Sequence, residues 1–306
     1  MRIAIVGIRE TSLFYGAKLS AAGFDVVLAD LWRDAVEGIK REGVRLEEGG
    51  TAQVRFIPCC LLQELSGPFD LFLLFHKPAY GEYVWSKLEP LLGKETWLIS
   101  FQDGLGHEAG FRRHVFPEQS MIGLSTFQVD WPKLGHVKGA LSGETLLMPL
   151  SWERLSALQE LKTLFDQAGL TAEIREDIVP LVWEKLASDI ALNSLAVVSR
   201  VTAGKVGTIP EGRQLAFQIV TEVLDVAERR GITVDRERVK KGMAEAFVKF
   251  YRYKPVMLVD LEQGRKTDVE YMHGAVLREG AECGVVLPSL EVFYKLIKMM
   301  ERLTES

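Results

Sequence analysis

Short, unbroken apolar runs punctuate the first half of this chain, at residues 3–6, 26–29, 54–57, 71–75, 97–100 and 121–124. They are aliphatic or β-branched, and most do not alternate with polar residues. Strands covered on both faces have this pattern. Stretches of helical period, such as 12–22 and 81–92, fall between several of them. Strand and helix alternating in this way leave few options beyond a mostly parallel, doubly wound sheet. After about residue 175 the strand-like runs nearly vanish. Helical patterns follow near 178–200, 210–230, 236–250, 268–284 and 289–303. The expectation is an α/β fold, with a doubly wound sheet in a first domain over 1–175 and an all-helical C-terminal domain over 176–306. The boundary follows a short β-like TAEI. With no low-complexity linker, the two domains should pack closely and leave a ligand cleft between them.

The first thirty residues, MRIAIVGIRETSLFYGAKLSAAGFDVVLAD, have the layout of a dinucleotide-binding βαβ unit, so the N-terminal sheet reads as Rossmann-type. Gly7 can make the tight turn from strand to helix, where the free N–H groups of Ile8 and the following residues would face a pyrophosphate. Asp30, 23 residues later, ends the second apolar run. A carboxylate there suits the ribose hydroxyls of NAD and repels a 2′-phosphate. Arg33 nearby could pair with that phosphate instead. The glycine-rich fingerprint is incomplete: Arg9 and Ser12 stand where its second and third glycines belong. Arg9 either obstructs the phosphates or swings aside and pairs with them.

The bulk numbers exclude several classes. A net charge of −5 argues against a nucleic-acid or anionic-membrane partner. Cys59, Cys60 and Cys283 form no C-x-x-C pair, and the five histidines show no H-E-x-x-H spacing, so neither a disulfide framework nor a metal site is expected. No apolar run approaches the roughly 18 residues of a membrane span. The first residues lead straight into a strand rather than a charged segment and an apolar core, so no signal peptide is expected. A cytoplasmic location is the reading.

In the second half, VPLVWEKLASDIALNSLAVVSR places Lys185, Asp189 and Asn193 four residues apart, along one face of an otherwise apolar helix. Buried polar groups need partners. Such a row could face a substrate, with the lysine donating a proton to a ketone oxygen as hydride reaches its carbon. A plain ion pair of Lys185 with Asp189 reads the spacing equally well.

These stretches resemble the ketopantoate reductase family nearly end to end. The opening residues look like the family's start. LLFHKPAY is similar to its strand-then-lysine element, with Lys77 at the lysine. LISFQDGLGHE resembles its N-G-L-G loop, and VWEKLASDIALNSL its W-x-K-L-x-x-N-x-x-x-N helix. MLVDLEQGRKTDVEYMHGAVLREGAECGVVLP is similar to its late M-x-x-D…G-R-x-T-E-I-D…N-G segment. The resemblance implies NADPH-dependent reduction of 2-dehydropantoate to pantoate at a site between the domains. It implies Lys185 as proton donor, Asn193 as a hydrogen bond to substrate, Asp268 as a ligand contact, and Lys77 and Asp103 near cofactor and substrate.

The departures imply an altered site. Besides Arg9 and Ser12, Asp103 and Asp189 replace asparagines, Val256 replaces a serine that binds substrate in some members, Asp268 shortens a glutamate, and His273 replaces an asparagine. Two like charges about 4 Å apart at an effective dielectric of about 20 repel by roughly 4 kcal/mol. Added carboxylates therefore weaken the case for an anionic keto acid unless Lys185, Lys77 or Arg9 offsets them. The leading expectation is a nicotinamide-dependent reductase, with NAD favoured by Asp30 and NADP by the resemblance. Two alternatives stand beside it: a family-shaped binding or regulatory protein without hydride transfer, and a reductase of a neutral or cationic carbonyl compound. The partner is a small-molecule carbonyl substrate, and the helical domain offers surfaces for a homodimer.

Overall fold

A computed structural model of the chain describes residues 1–139, 142–249, 251 and 254–304. It divides into two compact units. One comprises residues 1–102 and 108–178, the other residues 103–107 and 179–306.

The first unit is built on an eight-stranded sheet. In chain order the elements are β1 (Arg2–Val6), α1 (Glu10–Ala21), β2 (Asp25–Asp30), α2 (Arg33–Glu42), β3 (Val44–Glu48), β4 (Thr51–Arg55), β5 (Cys59–Leu61), β6 (Leu71–Leu74), α3 (Gly81–Leu88), β7 (Trp97–Ser100), α4 (His107–His114), β8 (Ser120–Ser125), β9 (Asp130–Lys133), β10 (His136–Lys138), β11 (Thr145–Pro149), α5 (Leu155–Gln167) and β12 (Ala172–Ile174). The main sheet runs β12-β11-β8-β7-β6-β1-β2-β5. Strands β5, β2, β1, β6, β7 and β8 are parallel to one another, and β11 is antiparallel to β8. The apolar runs explain the central strands. Every residue from Ile3 to Val6 and from Leu71 to Leu74 is buried, as covering on both faces demands. Strand order reverses between β1 and β6, and ligands of such sheets bind at that switch point, beyond the carboxyl ends of the strands.

The run at 54–57 is not a strand of this sheet. Val54 lies in β4, in a separate four-stranded sheet of order β4-β3-β10-β9, and Phe56 beyond it is 73% exposed. The place beside β2 belongs to the three residues of β5 instead. The cause is Gly49-Gly50, both at positive φ, which close a two-residue hairpin between β3 and β4. That turn commits the run to an antiparallel partner. Strand β11 was likewise not anticipated from the sequence.

The second unit is helical, as expected: α6 (Val179–Ser199), α7 (Ala203–Gly207), α8 (Pro210–Arg229), α9 (Arg236–Lys249), α10 (Val256–Glu262), α11 (Ala275–Cys283) and α12 (Pro288–Thr304). A five-residue π turn, Glu270–Gly274, leads into α11. Helix α6 is central. Trp183, Leu186, Ala187, Ile190 and Ala191 are buried in a core shared with α8, α9, α10 and α12. Among the described residues no helix is long and apolar enough to cross a membrane.

Candidate active site

In the first unit Gly7, Ile8 and Asp30, expected to face a dinucleotide, lie at the switch point. Gly7 follows β1 at φ +100°, and a Cβ there would meet the His76 backbone nitrogen at 2.5 Å. Only glycine permits that approach. Its N–H donates to the Ala29 carbonyl at 2.8 Å, which ties the turn to β2.

Asp30 ends β2 and is 5% exposed. Its Oδ2 accepts the Ile8 N–H, and its Oδ1 accepts the Trp32 N–H at 2.9 Å. The carboxylate thus latches the turn after β1 to the turn after β2. Arg9 is the extended residue that precedes α1. Its N–H donates to Ser12 Oγ at 2.7 Å, and Ser12 Oγ donates back to its carbonyl at 2.9 Å. Ser12 is fully buried. In this position it closes the first turn of the helix, so its hydroxyl supports the loop rather than reaching out of it. Arg33, at the first position of α2, is exposed.

The ends of β6 and β7 add a polar group that the sequence reading did not single out. Gln102 Nε2 lies 3.1 Å from His76 Nε2 and donates to the His76 carbonyl at 3.1 Å. The Ser100 hydroxyl donates to Gln102 Oε1 at 3.1 Å. His76 is buried, and Lys77 directly after it is half-buried. The only signal for this cluster was its place at strand ends beside the switch point.

The second unit gathers Lys185, Asp189, Asn193 and Asp103. Lys185 Nζ donates to Asp103 Oδ1 at 2.7 Å and to Asp189 Oδ2 at 2.5 Å. All three side chains keep about a third of their surface exposed, with Lys185 at 37%. Burial alone would lower the lysine pKa. The charges of Asp103 and then Asp189 outweigh it and raise it above the ordinary lysine value. The ammonium is therefore charged throughout the neutral range. Asn193 commits its amide locally, donating to the Asp189 carbonyl at 2.8 Å and accepting the Met257 N–H at 3.2 Å. It ties α6 to the start of α10, where Val256 is half-buried. Asp268 is 4% exposed, just ahead of the π turn, and its carbonyl accepts the Tyr271 and Met272 N–H groups. His273 is fully buried against Ser194.

The residues fit a nicotinamide dinucleotide. A glycine whose side chain would collide with the neighbouring strand, the start of a helix and a fixed carboxylate at the next strand end are three features of a site for such a cofactor, while Arg9 and Ser12 take the places of the other two fingerprint glycines.

Comparison with known proteins covers both units of the chain. The family description "Ketopantoate reductase PanE/ApbA" matches residues 3–152, and its C-terminal counterpart matches residues 177–301. A 2-dehydropantoate 2-reductase of Streptococcus pyogenes is 25% identical over 304 residues, covering 98% of both chains. Among solved structures, a ternary complex of D-mandelate dehydrogenase with NADH and anilino(oxo)acetate superposes with a TM-score of 0.89, at 26% identity over 100% of both chains. The 2-dehydropantoate 2-reductase from Geobacter metallireducens GS-15 gives 0.85 at 26% identity, covering 98% of this chain and 99% of that one. With both halves matched by the paired models in the order of its two units, this chain belongs to the ketopantoate reductase family.

Proposed function

We propose that the chain is a nicotinamide-dependent reductase of a 2-oxo acid or a closely related carbonyl compound, with Lys185 as the proton donor. The observation that carries this reading is the Lys185 ammonium held between Asp103 and Asp189 on a face that stays partly open to solvent. When bound, the nicotinamide supplies the hydride. Lys185 supplies the proton and polarises the carbonyl oxygen. Asp103 and Asp189 keep that lysine protonated and fix its Nζ. Asn193 holds the first turn of α10 against α6. Gly7, the start of α1 and Asp30 hold the dinucleotide, Arg9 follows the Gly7 turn, and Lys77 follows His76, against whose backbone Gly7 lies.

NADH is the preferred coenzyme in this proposal. Asp30 is fixed by two backbone donors, and its carboxylate would repel a 2′-phosphate placed beside it. The NADH-bound D-mandelate dehydrogenase supports the same choice. Val256 supports a 2-oxo acid with an apolar substituent over ketopantoate, because an aliphatic side chain stands where some family members use a serine on the substrate. A cytoplasmic location fits three cysteines that remain thiols.

The test is oxidation of NADH and NADPH with ketopantoate, aryl-substituted 2-oxo acids and neutral ketones. Turnover with NADH that disappears in Lys185→Met is the expected result. If neither coenzyme changes the protein's fluorescence at millimolar concentration, the chain is a binding protein and the proposal fails.

A further inference from the structure

Ser194 and His273 form a pair to which the reading above gives no task. His273 Nε2 lies 2.7 Å from Ser194 Oγ, and neither side chain has any exposed surface. Ser194 belongs to α6, the helix of Lys185 and Asp189. His273 belongs to the π turn, a helical irregularity that recurs at functional sites. Among the described residues its Nδ1 meets no hydrogen-bond partner, so the Ser194 contact orients the ring.

Two residues earlier in the same turn, Tyr271 presents its carbonyl to the loop that follows Gln102. It accepts the Leu105 N–H at 2.8 Å. It also presses on Gly104, where an added Cβ would lie 2.4 Å from the Tyr271 oxygen and where φ is +93°. Gly104 adjoins Asp103, which grips Lys185. Contacts therefore run from Ser194 through His273 and the Tyr271 carbonyl to the Asp103 loop, and return to α6 at Lys185.

We propose that His273 is a positioning residue: anchored on Ser194, it fixes the π turn that holds the Asp103 loop, and so sets the Asp103 carboxylate against Lys185. This rests on Lys185 as the proton donor of the proposed reaction. Burial pushes the imidazole down to about 3, so His273 is neutral and acts on Lys185 through placement rather than charge. The charges acting on Lys185 are those of Asp103 and Asp189. Several acidic groups on the elements around α6 have partners elsewhere, while Asp260 of α10 and Asp268 are buried. Glu184 of α6 itself pairs with Arg238 of α9, and Glu222 of α8 accepts the Ser289 and Leu290 N–H groups. Glu270 of the π turn meets Arg278 and Tyr294, and Glu301 of α12 meets Thr267 and Lys298. Loosening the loop is thus felt at Lys185 as loss of the Asp103 contact.

The experiment measures hydrogen exchange at the Leu105 amide and the titration of Lys185 Nζ by nitrogen NMR, in His273→Leu, His273→Asn and Ser194→Ala. In His273→Leu, exchange at Leu105 rises about tenfold, as expected when one hydrogen-bonded tie is weakened, while amides of β1 and β6 keep their rates. Lys185 titrates at lower pH than in the parent, the effect of a receding opposite charge. His273→Asn, which can still bond Ser194, stays within about threefold of the parent rate. Unchanged Leu105 exchange and Lys185 titration in the leucine variant, or an asparagine variant as loose as the leucine one, overturn the proposal. If His273→Leu does not fold, Ser194→Ala decides by the same two measurements. Neither readout uses turnover. A failure of the reductase reading, seen as turnover retained in Lys185→Met, is therefore separable from a failure here.

Discussion

Gly7 and His76 meet backbone to backbone: a Cβ on the glycine would sit 2.5 Å from the His76 nitrogen and 2.7 Å from its Cα. The two residues lie at the carboxyl ends of β1 and β6, neighbouring strands on either side of the reversal in sheet order. The ends of the two strands can come this close because nothing projects from Gly7. Gly7→Ala combines the overlap with a positive φ that itself costs about 1–2 kcal/mol. It should lower folding stability by about 2 kcal/mol or more and weaken coenzyme binding. Urea denaturation and fluorescence titration check both, and a variant with parental values in each contradicts this account of the turn.

Asp30 joins two backbone donors that lie 24 residues apart in sequence, Ile8 and Trp32. Asp30→Asn removes the charge and leaves one acceptor oxygen in place of two. A hydrogen bond to a charged group contributes about 1.5–3 kcal/mol, so NADH affinity should fall by about tenfold or more. NADPH should fall less, since the carboxylate that opposes its extra phosphate has gone. Dissociation constants for both coenzymes test this. A ratio unmoved by the substitution means that Asp30 serves the loop alone and does not select the coenzyme.

How much of this was legible in the sequence follows from the range of the interactions. The strand before Gly7 and the run that ends at Asp30 are local unbroken apolar runs, the Lys185, Asp189, Asn193 row is a local helical spacing, and each lies where its pattern implies. The Val54 run misled because hairpin chemistry four residues upstream, at Gly49-Gly50, outranks apolar content in choosing a partner strand. Asp103 was recognisable only by its place in a motif. Its engagement with Lys185 joins positions 82 residues apart, and no periodicity encodes that. Ser194 and His273, 79 apart, were hidden for the same reason. The Gln102 and His76 cluster was hidden because polar residues at strand ends look like ordinary loop residues.

The carboxylates around Lys185 set the alkaline behaviour of the proposed reaction. Burial lowers the lysine pKa, Asp103 is the larger of the two opposing charges, and the net direction is upward. The protonated acid therefore persists past the ordinary lysine value of about 10.4, and kcat should show no alkaline decline below it. Asp103→Asn removes the larger raising influence, so the decline should move down into the measurable range. Lys185→Met should lower kcat by about 10²–10⁴ with coenzyme affinity unchanged. Profiles of kcat between pH 7 and 11 decide the matter. An Asp103→Asn profile that overlays the parent would show that this carboxylate does not tune the acid.

His273 makes folding sensitive to acid. Burial holds its imidazole neutral in the folded chain, down to about 3, whereas the unfolded chain ionises near 6.5. Below pH 6.5 the unfolded state binds a proton that the folded state refuses, so stability falls as pH drops. The contribution is complete above pH 6.5 and is lost progressively toward the folded value near 3. His273→Asn cannot ionise, so its stability should decline less steeply over this range. The parent is expected to be the more stable of the two at pH 8, and its advantage should shrink steadily between pH 6.5 and 4.5. Thermal melts of both proteins across that interval measure the difference directly, with the other histidines common to both. A gap that stays constant with pH would mean that the imidazole takes up its proton without leaving its buried place.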